Sequence, residues 1–176
     1  SLCNTIAVWG SDAATTGVRK LAPTGVKIVE WGNRISFSYF TKKGYNKEFL
    51  KGLAEDVCVN DQQACSAPQI VFYETDSREE LFMFADELME VLQEVSDTYP
   101  LHPMSQAEQA ELTTQIQLCH LDEMMGEAKL YNGEGCRLFV KFDSELCASP
   151  LYRTLIVKPI NRNDVISVLR PFRSYL

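Results

Sequence analysis

Short strand-like runs alternate along this chain with segments of helical period, and that alternation restricts the fold more than any other feature. Thr5–Trp9, Val26–Trp31, Ile35–Phe40, Gln69–Glu74, Ala128–Tyr131, Arg137–Phe142 and Thr154–Pro159 read as strands. Between them, Ser11 or Asp12 can cap a helix running to about Leu21, with Pro23 after it. A helix over about Asn46–Asn60 places Phe49, Leu50, Leu53, Ala54, Val57 and Cys58 on one face, which makes Cys58 a core thiol by position. Ser77-Arg78-Glu79-Glu80 and Ser105-Gln106-Ala107-Glu108 read as capping boxes, each opening a long helix. The first carries the stripe Leu81, Phe84, Ala85, Leu88, Leu92 and Val95, and the two are expected to form a helical hairpin. A short helix is expected over Asn163–Leu169. Strands alternating with helices imply an α/β layered domain with a largely parallel sheet.

At 176 residues the chain can hold one substantial domain with its own core. No apolar run approaches the roughly 20 residues that span a bilayer. The opening SLCNTIAVWG lacks a basic region followed by an apolar one, so it is not a secretory signal. The chain starts without Met on a strand-like segment, as a piece of something longer would. Six cysteines without an export signal or a compact framework read as reduced, cytoplasmic thiols. There is no CxxC pair, and Cys119 and His120 would point about 100° apart on a helix, so no metal site is expected. Net charge is −7, and residues 74–127 hold fourteen acidic side chains against one basic, Arg78. That is a solvated helical face, or else a sign that the more basic remainder meets an anionic ligand. No basic patch is interleaved with aromatics, which disfavours nucleic acid.

Three positions could carry chemistry. Gly10-Ser11-Asp12 joins a strand to a helix, where a helix N-terminus can hold a phosphate; it also reads as a simple turn and cap. Glu30 closes an apolar strand, as a base or as the strand's exit to solvent. Cys65 sits in a polar turn between helix and strand, where backbone amides can stabilise a thiolate or an oxyanion.

The stretch Asn60-Asp61-Gln62-Gln63-Ala64-Cys65 resembles the asparagine-x-glycine-glutamine-x-cysteine signature around the nucleophile of the aldehyde dehydrogenase superfamily. The signature's glycine is replaced here by Gln62 or Asp61, depending on alignment. QQACSAPQ, VWGSD (Val8 to Asp12), WGNRISF (Trp31 to Phe37) and RTLIVKPI (Arg153 to Ile160) are similar to segments of the long-chain acyl-CoA (fatty acyl) reductases of bacterial bioluminescence type. This resemblance implies a three-layer α/β/α catalytic domain over residues 1–176 of a longer reductase, with residues 1–24 at the edge of a nucleotide-binding domain. It implies Cys65 as the acyl-accepting nucleophile, and Gly10 and Ser11 as the turn beside the pyrophosphate of NADPH or NADH. Glu30 falls near the glutamate that acts as general base in aldehyde-oxidising members, although only one glycine follows it here. The implied activity is reduction of a long-chain acyl thioester, from acyl-CoA or another activated acyl donor, to a fatty aldehyde. An acyl-activating or acyl-transferring partner protein and a homo-oligomer when full length are implied as well. The alternatives are aldehyde oxidation by the same thiol, or a non-catalytic acyl-binding or assembly domain.

Overall fold

A computed structural model describes residues 3–10, 12–32 and 34–173. Strand β1 (Thr5–Trp9), helix α1 (Asp12–Leu21) and strand β2 (Lys27–Trp31) form a parallel βαβ unit, in register from Thr5 opposite Lys27 to Trp9 opposite Trp31. This unit continues past Thr24 to Trp31, and its two strands stand apart from the main sheet.

The main sheet takes β3 (Ser36–Phe40), β4 (Pro68–Glu74), β5 (Ala128–Asn132), β6 (Arg137–Lys141) and β7 (Thr154–Ile160) in the order β3-β4-β7-β6-β5. All neighbours run parallel except β5, which turns back antiparallel on β6. Parallel strands are covered on both faces and so carry unbroken apolar runs; Ile70-Val71-Phe72 and Leu155-Ile156-Val157 do this. Alternation sends Val71, Leu138, Val140, Leu155 and Val157 to one face, under α2 (Lys47–Cys58) and α3 (Arg78–Ser96). Ile70, Phe72, Phe139 and Ile156 go to the other, under α4 (Gln106–Met124) and α5 (Val165–Leu169). The three-layer α/β/α arrangement follows.

Three local expectations are corrected. Helices α3 and α4 are not a hairpin, because α3 covers the first face and α4 docks beside β5 on the second. The 97–105 connection is broken by Pro100 and Pro103, and its nine residues can span up to roughly 30 Å, enough to carry the chain round the sheet. Helix α4 buries only Leu112 and Cys119, so its apolar residues are mostly not core. Phe49 is 55% exposed, since it stands one 100° step off the buried stripe of Leu50, Leu53, Ala54, Val57 and Cys58. Finally, Ser77 caps α3 by accepting from Glu80 N, but the Glu80 carboxylate is taken by Thr75 and Lys42 and the box stays half made. At α4 both halves of the box form between Ser105 and Glu108.

Candidate active site

The Cys65 turn is built from the end of α2. Asp61 and Gln62 have φ of 48° and 66°, a left-handed pair that stops the helix, and Gln62 N–H donates to Val57 O at 2.7 Å. This is glycine's conformation in residues that are not glycine, at a cost of roughly 1–2 kcal/mol each. The Gln63 and Ala67 N–H groups then close successive turns on Asn60 O and Ala64 O, at 2.9 Å each, with Cys65 and Ser66 at the outer corner. Ser36 Oγ donates to Cys65 O at 2.6 Å and fixes the corner from the start of β3. Among the described residues the Cys65 N–H makes no hydrogen bond. The thiol itself is exposed.

Buried side chains offset the strain of the left-handed pair. Gln62 is fully buried; its Nε2 donates to Pro68 O at 2.8 Å, and its Oε1 accepts from Thr154 N at 3.0 Å and from Ser149 Oγ at 3.4 Å. Asp61, 2% exposed, accepts on Oδ1 from Arg153 Nε at 2.5 Å. Its Oδ2 accepts from the His102 N–H at 2.9 Å and pairs with His102 Nδ1 at 2.6 Å. Arg153 is wholly buried and also donates to Ser96 O and Oγ, Tyr99 O and Pro100 O, at 2.9–3.2 Å. The three residues Leu151, Tyr152 and Arg153 all have positive φ (65°, 52° and 58°), and Tyr152 N–H donates to Asp61 O at 3.1 Å. The Cys65 turn is therefore tied to the end of α3 and to the segment entering β7. Tyr152 neighbours Glu108 of α4: burial and the Glu108 carboxylate push its hydroxyl up to about 12, and Tyr152 together with Ser105 holds Glu108 down at about 2.

Arg153 and His102 lay outside the sequence reading of the site, and Asp61 and Gln62 entered it only as replacements for a glycine.

Asp61 titrates against this frame. Burial alone would raise its carboxyl, but bonds from His102 and Arg153 outweigh burial and hold it below the usual aspartate value. A carboxyl depressed in the folded state contributes stability that is present above its unfolded pKa of about 3.9 and is lost as pH falls through the folded value. Urea midpoints measured from pH 7 downward should therefore fall more steeply below about pH 4 in the parent chain than in Asp61→Asn, which has no charge to lose there.

A cleft of about 480 Å³ opens at the thiol, and Cys65, Gly10, Trp9, Trp31, Gln62 and Leu151 are among its lining residues. It brings Cys65 and Gly10 together. Gly10 follows β1 with φ of 147°, and a Cβ there would stand 3.2 Å from Ala14 Cβ, so a glycine suits the exit of the strand toward α1. Ser11 lies outside the described residues. Glu30 is not brought in. Alternation along β2 sets it opposite Trp31, toward α1, where Arg19 holds both carboxylate oxygens at 3.1 and 2.6 Å. Three other thiols are poorly suited to attack: Cys58, Cys119 and Cys136 are buried, and burial raises all three, Cys58 and Cys119 to about 11.

The family model described as Acyl-CoA reductase (LuxC) matches residues 2–176. A long-chain acyl-protein thioester reductase 2 of Photobacterium leiognathi is 32% identical over 100 residues, covering 57% of this chain and 20% of its own length. A long-chain acyl-protein thioester reductase of Aliivibrio fischeri is 32% identical over 108 residues, 61% of this chain and 22% of its own. The alignments thus span about a fifth of those relatives. Among solved structures, the P. syringae AldA indole-3-acetaldehyde dehydrogenase in complex with NAD+ and IAA superposes with a TM-score of 0.72 at 12% identity, over 94% of this chain and 37% of that one. The NADP-dependent glyceraldehyde-3-phosphate dehydrogenase of Bacillus halodurans complexed with NADP gives 0.67 at 15%, with the same coverage. These likenesses establish an aldehyde dehydrogenase-like fold. Among the described residues no helix is long and apolar enough to cross a membrane.

Proposed function

The chain belongs to the acyl-CoA reductase (LuxC) family, and from that premise we propose that Cys65 takes the acyl group from a long-chain thioester on its way to a fatty aldehyde. The observation that carries this reading is the exposed thiol at a rigid turn, opening on a cleft shared with the glycine turn of a βαβ unit. The family description names acyl-CoA, and the relatives' names specify an acyl-protein thioester. Both are thioesters, and the chemistry at the thiol is the same.

In this reading the Cys65 sulfur attacks the acyl carbon, and the bond from that carbon to the carrier sulfur breaks. The carrier leaves as a thiol, with the proton that Cys65 has given up. The Cys65 N–H, which donates to no acceptor among the described residues, would donate to the developing oxyanion, a contribution of roughly 3 kcal/mol for one such donor. The product is a thioester on Cys65, so the acyl group stays activated. Gly10 and the N-terminus of α1 would take a dinucleotide's phosphates, since a glycine follows a parallel strand and a helix opens shortly after it. A reduced nicotinamide bound there would supply the hydride that takes the acyl carbon to the aldehyde level. Cys65 then loses its bond to that carbon and returns to the thiolate. The engagement of Glu30 by Arg19 supports reduction over oxidation, because releasing an acid requires a base that delivers water to the thioester.

The test is intact mass after brief exposure to a long-chain acyl-CoA without nicotinamide, followed by peptide mapping. One acyl group on the Cys65 peptide, absent in Cys65→Ser, is expected. No adduct, or acyl groups scattered over several cysteines, would sink the reading.

A further inference from the structure

Moving an acyl group from one thiol to another moves a proton as well. At pH 7 an ordinary thiol, with a pKa of about 8.5, is mostly protonated. The attacking sulfur must therefore lose a proton, and the departing carrier sulfur must gain one. Glu30 is engaged by Arg19 and does not line the Cys65 cleft. The chain contains two histidines. His120 pairs with Glu123 near the C-terminal end of α4, roughly 18 Å along that helix from Glu108. His102 instead stands in a second cleft, of about 440 Å³, with Asn60, Gln63, Ala64, Pro103 and Glu108. Gln63 and Ala64 line both clefts, so the segment leading into Cys65 is the wall between them.

His102 is set up to exchange a proton at that wall. Its Nδ1 lies 2.6 Å from Asp61 Oδ2, and this carboxylate, bonded on its other oxygen by the buried Arg153, can only accept. Nδ1 therefore carries the hydrogen, and Nε2 of the neutral ring is left as an acceptor. With 63% of the side chain exposed, the ring meets water while its Nδ1 edge is fixed. The other charged groups around it are Arg153, behind Asp61, and Glu108 in the first turn of α4, with Tyr152 beside Glu108. Glu108 is no substitute, because Tyr152 and Ser105 hold its carboxyl down at about 2.

We infer that His102, oriented by Asp61, is the general acid–base of acyl transfer and reaches Cys65 through water across the Gln63–Ala64 wall. The inference rests on the functional reading above and adds the proton path to it. Nε2 takes the proton from the Cys65 sulfur, whose electron pair forms the bond to the acyl carbon. When the bond from that carbon to the carrier sulfur breaks, its pair stays on the sulfur and Nε2–H supplies the proton. The ring ends neutral, and no further reactant is consumed.

The test is the burst of thiol release from a long-chain acyl-CoA, followed from pH 6 to 10 in the full chain and in His102→Asn. Asparagine keeps an N–H toward Asp61 but has no group that takes a proton. His102→Gln replaces it if the urea midpoint shows that the turn is lost. At pH 7 the variant's burst should be about 10²-fold slower, the lower end of what such proton transfer contributes. The gap should close toward pH 10, where hydroxide ionises the thiol unaided, and added imidazole should restore much of the rate at pH 7. Equal rates at pH 7, a constant ratio at every pH, or no response to imidazole would overturn the inference. If the parent's Cys65 is acylated and any of those results is found, this inference falls alone; if Cys65 is never acylated, the functional reading falls first.

Discussion

Arg153→Met should lower the free energy of unfolding by about 3–5 kcal/mol, because it leaves the Asp61 carboxylate buried without its cation. The guanidinium has no exposure and serves five acceptors: one on Asp61, two on Ser96 and the carbonyls of Tyr99 and Pro100. Methionine can fill much of the same volume, and at φ of 58° it bears the same backbone strain as arginine. The difference therefore isolates the charged hydrogen bonds. Adding Asp61→Leu to Arg153→Met should cost much less than the sum of the single changes, since the second substitution removes the orphaned charge. Urea denaturation of the four chains measures this coupling. A loss below about 1 kcal/mol for Arg153→Met would mean that water enters and solvates Asp61, and that the network does not brace the turn.

The layers were legible because burial on both faces leaves a simple trace: in β4 and β7 five of the seven residues are apolar. Helix ends were legible where side chain and backbone cooperate locally, as at Ser105 and Glu108. What escaped depended on partners distant in sequence. Arg153 meets Asp61 across 92 residues, and nothing local to either marks the pair. Glu80 would complete a box in isolation, but Thr75 and Lys42 compete for it in three dimensions. The side of the sheet taken by α4 could not be read from amphipathicity, because a helix that buries only Leu112 and Cys119 has almost no stripe. The site divided in the same way. The local signature around Cys65 pointed to its turn, whereas the direction of Glu30 depends on the pairing of β2 with β1 and on Arg19 in α1. Replacement of the signature's glycine did not unmake the turn, for Gln62 holds a φ of 66° with three buried hydrogen bonds.

Cys65→Ala should reduce the rate of thiol release from a long-chain acyl-CoA by at least about 10⁴-fold, the scale on which removing a covalent nucleophile acts. The parent chain should show a rapid burst of one thiol per protein and then almost stop, because the Cys65 thioester persists until hydride reaches it. Stability should barely move, since an exposed side chain without core contacts changes unfolding by about 0.5 kcal/mol or less. Glu30→Gln separates reduction from oxidation. If Glu30 stays with Arg19 on the α1 face, the burst and the slow turnover after it should both be unchanged. If Glu30 instead swings into the cleft and activates water, the parent chain will hydrolyse its acyl group steadily and Glu30→Gln will abolish that phase, leaving the burst intact. The second result would favour aldehyde oxidation at the same thiol. The first would leave hydride as the only exit for the acyl group, which is what a reductase requires of its nucleophile: a thioester protected from water.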